Sequence, residues 1–376
     1  MNQVLLEGVN SIDRINEILD QFPHTKIFLV TGKNSYEVCG AKQKLDSLLS
    51  ERNVVLFSDF TPNPKDIDVV KGINLFNQNG CDLILAVGGG SPLDIAKLIK
   101  FYAHEETLFG ESLIKPNIEI ESIPLIAIPT TAGSGSEATH FAVVYIDGIK
   151  RSITDQSIIP ESVVLEPSFL INTPNHITRC SGIDAFCQSI ESIWNVYSTD
   201  ESSALATEAL KLIIDNLPTH LNEPSITTAN SIQKGAYLAG QAINITKTTA
   251  PHAMSYALTS KYGICHGQAV AVYLPAVLKI NARVDQNTVA HNTTIERVEI
   301  AMATIFSAFN VNSADDCASA IYDFMKSIGL KTSLEQLNVK PEHRSELLST
   351  VNIERLANNP RKLNQADLEE IFDMAL

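Results

Sequence analysis

The stretch Lys247 to Gly267, KTTAPHAMSYALTSKYGICHG, sets His252 and His266 fourteen residues apart, with Tyr256 one helical turn beyond the first. Ala250 to Tyr262 carries helix formers, and Pro251 suits a first helical turn, where its missing N–H costs nothing. Gly263 stops that helix, so His266 opens the next segment. Two imidazoles at the two ends of a helix–turn unit can converge on one point, as metal ligands or acid–base groups do. Spacing alone suits two structural histidines equally well, so the rest of the chain has to decide.

Three further stretches carry residues of chemical use. Gly88-Gly89-Gly90-Ser91-Pro-Leu-Asp94-Ile-Ala-Lys97 follows an apolar run and opens a helical pattern. Glycines let a phosphate approach the backbone, and a helix N-terminus favours an anion, so this loop suits a pyrophosphate. It is not the GxGxxG fingerprint of an ordinary Rossmann enzyme. Pro129-Thr130-Thr131-Ala-Gly-Ser134-Gly-Ser-Glu137 repeats the pattern after the next strand, where small hydroxyl residues suit the far end of a nucleotide. Two such loops on successive strands point to a nucleotide site. In GIDAFCQSIES (182–192), Asp184 and Gln188 are four apart and share a helix face. With the two histidines they can surround a cation or a polar substrate; alone, Asp184 reads as a helix N-terminal residue.

The elements that must position these residues fall into two textures. Lys26–Thr31, Asn53–Phe57, Leu83–Val87 and Ile123–Ile128 are near-continuous apolar runs separated by helical patterns, which indicates a parallel sheet covered on both faces. Ala142–Ile146 with Lys150–Ile153 reads as a hairpin, and Ser162–Glu166 as a last strand. After about Pro167 almost nothing alternates with a period of two, and the pattern is helical. The expectation is an α/β dinucleotide-binding domain over 1–168, an all-helical domain over 169–376, and a ligand in the cleft between them.

Composition sets limits. The 376-residue chain has 44% hydrophobic and 19% charged residues, an ordinary globular mixture long enough for two cores. A net charge of −15 with no clustered Lys/Arg argues against a nucleic-acid partner. The six cysteines are scattered without a CxxC pair, and the N-terminus lacks a signal-peptide pattern. No apolar run reaches the length of a membrane span. The expectation is a soluble cytoplasmic protein with reduced thiols.

GGGSPLDIAK (88–97), PTTAGSGSEAT (129–139), GIDAFCQSIES (182–192) and PHAMSYALTSKYGICHG (251–267) together resemble the iron-containing, group III alcohol dehydrogenases. The match spans nearly the whole chain in the family's order. The resemblance implies a dehydroquinate-synthase-like fold, in which NAD(H) or NADP(H) and a divalent metal, iron or zinc, meet between an α/β and a helical domain. Gly88, Gly89, Gly90, Ser91, Asp94, Thr130, Thr131 and Ser134 then fall to the cofactor. The family's metal ligands, one Asp and three His, carry over to Asp184, His252 and His266, but the remaining histidine position holds Gln188. An amide is a poorer ligand than imidazole for first-row metals, so metal binding is weakened. A family histidine associated with proton movement is replaced by Tyr256, whose hydroxyl can also relay a proton.

NAD-preferring relatives often have an acidic residue after the first strand; here the turn is Val30-Thr31-Gly32-Lys33. Gly32 removes a carboxylate that would repel a 2′-phosphate, and Lys33 suits one, so NADP(H) is the expected preference. Thr246-Lys247-Thr248-Thr249, with Gln188, resembles the phosphonoacetaldehyde reductase branch. A lysine flanked by threonines supplies a cation and hydroxyl donors for phosphonate oxygens. Lys150 and Arg151 are alternative cations. The implied reaction is hydride transfer reducing phosphonoacetaldehyde to 2-hydroxyethylphosphonate, catalysed by His252, His266 and Tyr256, and the family resemblance implies a homodimer. A general short-chain alcohol dehydrogenase is the rival within the class. A dehydroquinate-synthase-like lyase and a non-catalytic nucleotide-binding protein are the rivals outside it.

Overall fold

A computed structural model describes residues 3–22, 25–103 and 123–376 of the chain. These residues divide into two compact units: Met1–Pro174 with Pro224–Gln233, and Asn175–Glu223 with Lys234–Leu376.

The first unit carries strands β1 (Val4–Glu7), β2 (Lys26–Thr31), β3 (Asn53–Phe57), β4 (Leu83–Gly88), β5 (Leu125–Pro129), β6 (Phe141–Ile146), β7 (Ile149–Thr154) and β8 (Ser162–Leu165). Among the described residues the main sheet has the order β1-β8-β5-β4-β2-β3, and every pairing in it is parallel. β6 and β7 form a separate antiparallel hairpin. Helices α1 (Ile15–Leu19), α2 (Ser35–Val38), α3 (Ala41–Leu48), α4 (Asp66–Asn79), α5 (Gly90–Tyr102) and α6 (Ser168–Ile171) complete it.

Successive side chains of a strand point to opposite faces, so each apolar run feeds two cores. Phe28, Val30, Ile84 and Ala86 join the core that includes Val69 and Ile73 of α4 and Leu98 and Ile99 of α5. Ile27, Leu29, Leu83, Leu85 and Val87 join the opposite one, with Ile15, Ile18, Tyr36 and Leu45. β1 escaped the sequence reading because it is short and half-exposed, an edge strand paired only with β8. Between β2 and β3 the chain forms two helices, α2 and α3, because Gly40 adopts φ 85° between them. The first unit also runs past residue 168, since Phe169 is buried in the second of these cores.

The second unit is helical: α7 (Asn175–Trp194), α8 (Asp200–Asn222), most of α9 (Ile226–Thr246), α10 (Ala250–Ser260), α11 (His266–Ala271), α12 (Leu274–Asn281), α13 (Ile295–Ala308) and α14 (Ala314–Ser327), with further helices to Ala375. α11 and α12 are separate helices, with Pro275 in the first turn of α12.

The expectation for the cysteines is overturned. Cys180 and Cys265, read from the sequence as reduced thiols, are joined in a disulfide. The bond spans 85 residues of sequence, so spacing gave no sign of it. The packing of α11 on α7 brings their Cα atoms to 6.4 Å, within disulfide reach. Cys39, Cys81, Cys187 and Cys317 are buried free thiols. No helix among the described residues is long and apolar enough to cross a membrane.

Candidate active site and metal centre

Asp184, Gln188 and Glu191 recur at helical spacing on α7 and are all buried. Asp184 sits in the middle of α7, so it is not the helix N-terminal residue that spacing also allowed. Glu191 is fully buried and is engaged on all sides. Its Oε1 accepts from the Thr249 N–H at 2.8 Å, the Thr249 hydroxyl at 3.0 Å and the His252 N–H at 3.4 Å. Trp194 Nε1 donates to the Thr249 hydroxyl at 2.9 Å. Thr249, the N-cap of α10, makes no side-chain cap of its own. Glu191 therefore supplies the carboxylate that the N-terminus of α10 favours, from a different helix.

The other Glu191 oxygen, Oε2, pairs with His252 Nδ1. That contact turns His252 Nε2 toward Asp184, 3.3 Å from Oδ1. Burial lowers the basicity of His252, but Glu191 and Asp184 outweigh it and raise its pKa to about 9. The His266 ring centroid lies 5.3 Å from that of His252, at 74°. Tyr256 stacks on the far imidazole, 6.4 Å between centroids and 19° between planes.

Ligand atoms of Asp184, His252 and His266 all lie within 4.8 Å of one another. Gln188 Oε1 is buried and accepts no hydrogen bond from any described residue. A buried amide oxygen without a donor is costly unless something electropositive meets it. The donor set of two imidazoles, a carboxylate and that oxygen fits a divalent cation. Nδ1 bound to a carboxylate and Nε2 directed at the ligand cluster is the arrangement by which a histidine is oriented for a metal.

Glu191 belongs to the GIDAFCQSIES stretch, where residue type alone gave it no role. The signal was present: it lies three residues after Gln188 and seven after Asp184, on their face of the helix.

The loop before α10 is fixed by its backbone. Lys247 adopts φ 65° just past the end of α9. Its carbonyl accepts from the Thr246 hydroxyl at 2.9 Å and Asn195 Nδ2 at 3.2 Å, and the Thr248 carbonyl accepts from Asn358 Nδ2 at 2.9 Å. Thr246 is fully buried, and its hydroxyl oxygen, 3.0 Å from Ser192 Oγ, can accept from that hydroxyl, so it braces the loop from inside. Asn195 and Asn358 were not singled out in the sequence; Asn358 stands 110 residues from the carbonyl it holds. Lys150 and Arg151 lie on β7, in the first unit.

In the first unit the two small-residue loops touch. A Cβ added to Gly89 would lie 3.0 Å from Thr131 Oγ1, and one on Gly90 would lie 3.1 Å from Ser134 Oγ. Gly88 has φ 155°, and a Cβ there would lie 2.5 Å from Pro92. The N-terminus of α5 lacks a side-chain cap, so its free N–H groups are available to an anion. The Ser91 hydroxyl accepts from the Asn63 N–H at 3.3 Å. Asp94 and Thr130 act as supports. Asp94 accepts from the Ser136 hydroxyl at 2.7 Å and the Val143 N–H at 3.1 Å, and the Thr130 N–H donates to Gly88 O at 3.0 Å. Lys97 is fully buried and donates to the Thr139 and Phe141 carbonyls at 2.8 and 3.0 Å. Gly32 faces the Ser35 hydroxyl, and Lys33 is exposed.

Comparison with known proteins agrees with this geometry. Residues 2–167 match the family model for iron-containing alcohol dehydrogenase, and residues 178–376 match that for the C-terminal part of the Fe-containing alcohol dehydrogenase family. The 1,3-propanediol dehydrogenase of Klebsiella pneumoniae is 30% identical, covering 98% of this chain and 96% of its own. The NAD-dependent methanol dehydrogenase of Bacillus methanolicus is 27% identical over 98% of this chain and 97% of its own. Among solved structures, the sulfoacetaldehyde reductase of Bifidobacterium kashiwanohense in complex with NAD+ superposes with a TM-score of 0.87. It is 26% identical, covering 99% of this chain and 96% of its own. With both units matched and a ligand cluster fit for a divalent cation, the chain belongs to the iron-containing alcohol dehydrogenases and is an NAD(P)-dependent member of that family.

Proposed function

We propose that the enzyme reduces phosphonoacetaldehyde to 2-hydroxyethylphosphonate, with NADPH as the preferred hydride donor. The observation that carries this reading is Lys247. A left-handed backbone costs a residue with a side chain about 1–2 kcal/mol, and glycine would occupy the position freely. A lysine kept there, five residues before His252 and with its backbone carbonyl held by Asn195, has a side chain worth that cost. Among the described residues no carboxylate pairs with its ammonium. A phosphonate is the anion such a cation recognises, with Thr248 beside it as a further donor. The sulfoacetaldehyde reductase among the similar structures is, by its name, an enzyme for an aldehyde carrying an anionic group.

In this reading Asp184, Gln188, His252 and His266 hold the metal ion. Such a cation supplies Lewis acidity to a carbonyl oxygen, and the nicotinamide supplies the hydride. Glu191 fixes the orientation of His252, Lys247 and Thr248 orient the substrate by its anionic end, and Tyr256 moves the proton that completes the alcohol. One aldehyde, one NADPH and one proton give one alcohol and one NADP+. Gly32 and Lys33 favour the 2′-phosphate. The reading includes a cytoplasmic homodimer, which sedimentation of the purified protein tests.

The deciding experiment compares kcat/KM for phosphonoacetaldehyde, sulfoacetaldehyde and propanal, each with NADPH and NADH. Preference for phosphonoacetaldehyde by about tenfold or more, the scale of one charge-assisted contact, supports the reading. Preference for the sulfonate keeps the anion site and changes its occupant, while equal rates on all three leave a general aldehyde reductase.

A further inference from the structure

The disulfide stands against the metal centre on both sides. Cys180 lies one helical turn before Asp184 on α7, and Cys265 immediately precedes His266 as the N-cap of α11. Their bond therefore joins the helix that carries Asp184, Gln188 and Glu191 to the segment that carries His266. The two backbones already meet closely here. A Cβ on Gly267 would lie 2.0 Å from the Cys180 carbonyl and 3.0 Å from the Asp184 nitrogen. The approach to His266 is less secured, because Lys261, Gly263 and Cys265 are exposed and Gly263 turns the chain at φ 67°. The Ile264 N–H, donating to Leu258 O at 3.2 Å, ties that segment back to α10.

The bond is also within reach of a reductant. Cys265 is exposed and Cys180 half-buried, whereas the other cysteines are buried. Exposed disulfides are the exchangeable ones.

We propose that the Cys180–Cys265 disulfide is a redox-responsive brace of the metal centre. Closed, it fixes His266 against the α7 ligands; opened, it frees the 261–266 segment and the centre releases metal more readily. The chemistry is thiol–disulfide exchange with a dithiol reductant. One thiolate attacks the exposed Cys265 sulfur, the S–S bond breaks, and Cys180 leaves as a thiolate that takes a proton. The second thiol of the reductant resolves the mixed disulfide, so two electrons pass to the cysteine pair and the reductant leaves as its own disulfide. This inference rests on the metal centre and not on the identity of the aldehyde.

The test uses the full-length protein, purified without reductant, and the same protein opened with a phosphine. A phosphine takes its oxygen from water and brings no thiol to compete for metal. Mass spectrometry counts the thiols, chelator competition gives Zn2+ affinity, and the visible absorption of the Co2+-loaded protein reports ligand geometry. The expected result is a loss of Zn2+ affinity of about tenfold on opening, the scale for groups that orient ligands, with a changed Co2+ spectrum. The Cys180→Ser/Cys265→Ser double variant should match the opened protein and ignore the phosphine. Equal affinity and an unchanged spectrum in the two states would overturn the proposal, as would finding no disulfide before reduction. If the double variant fails to fold, the comparison of closed and opened wild-type protein still decides.

Discussion

Glu191 grips His252 twice, through the imidazole Nδ1 and through the backbone N–H at 3.4 Å. One buried carboxylate thus sets both the ring that faces Asp184 and the start of the helix that carries it. Replacing Glu191 with Gln keeps the shape and removes the charge. Affinity for Zn2+ should fall by about 10–100-fold in competition titrations, as for other groups that orient a metal-binding histidine. Glu191→Ala strips a buried partner outright and should lower stability by about 3–5 kcal/mol, read from denaturant unfolding.

Gln188 contributes an oxygen where the family's pattern has an imidazole. Gln188→His should tighten Zn2+ binding on the order of tenfold, because imidazole is the better ligand for first-row metals. Gln188→Leu should weaken it. Equal affinity across the three proteins would show that this side chain takes no part in the centre.

Glu137, at the end of the threonine- and glycine-rich stretch after β5, is buried. Burial pushes the Glu137 carboxyl up from 4.5 to about 7, with Lys97 opposing the shift. The native state then holds a proton that the unfolded chain has lost between pH 4.5 and about 7. The group's contribution to stability falls as pH rises through that window and stays low above it. Glu137→Gln removes the effect. Thermal unfolding should show the variant gaining on the wild type between pH 5 and pH 8, by up to about 3 kcal/mol. A constant difference across that range would contradict the assignment.

On the proposed reading, cofactor choice rests on Gly32. A Cβ there would lie 2.2 Å from Ser35 Oγ, a hydroxyl that can rotate away. Gly32→Asp should therefore fold and shift the kcat/KM ratio from NADPH toward NADH by about tenfold or more, the cost of placing a carboxylate against the 2′-phosphate. An unchanged ratio would separate this turn from ribose recognition.

What could be read from the sequence was local. Apolar runs such as Lys26–Thr31 gave the parallel strands, and Pro251 and Gly263 bounded α10 correctly to within two residues. The motifs brought Asp184, His252 and His266 to one cluster and the glycine and threonine loops to one sheet end. What escaped depends on contacts distant along the chain. Glu191 meets Thr249 across 58 residues, Asn358 meets Thr248 across 110, and the disulfide spans 85. Periodicity carries no record of such pairs. Thr246 and Asp94, whose residue types suggested ligand contact, are hydrogen-bonded within the protein, to Ser192 and Ser136, partners that lie 54 and 42 residues away.

The central claim concerns Lys247, and a specificity ratio tests it most directly. The kcat/KM for phosphonoacetaldehyde should be divided by that for propanal in wild type, Lys247→Ala and Lys247→Gly. Glycine suits the φ of 65°, so that variant separates the side chain from the backbone turn. The account predicts that both variants lose about tenfold or more of the ratio, through the phosphonate alone, with propanal unchanged. Variants that keep the wild-type ratio would contradict it.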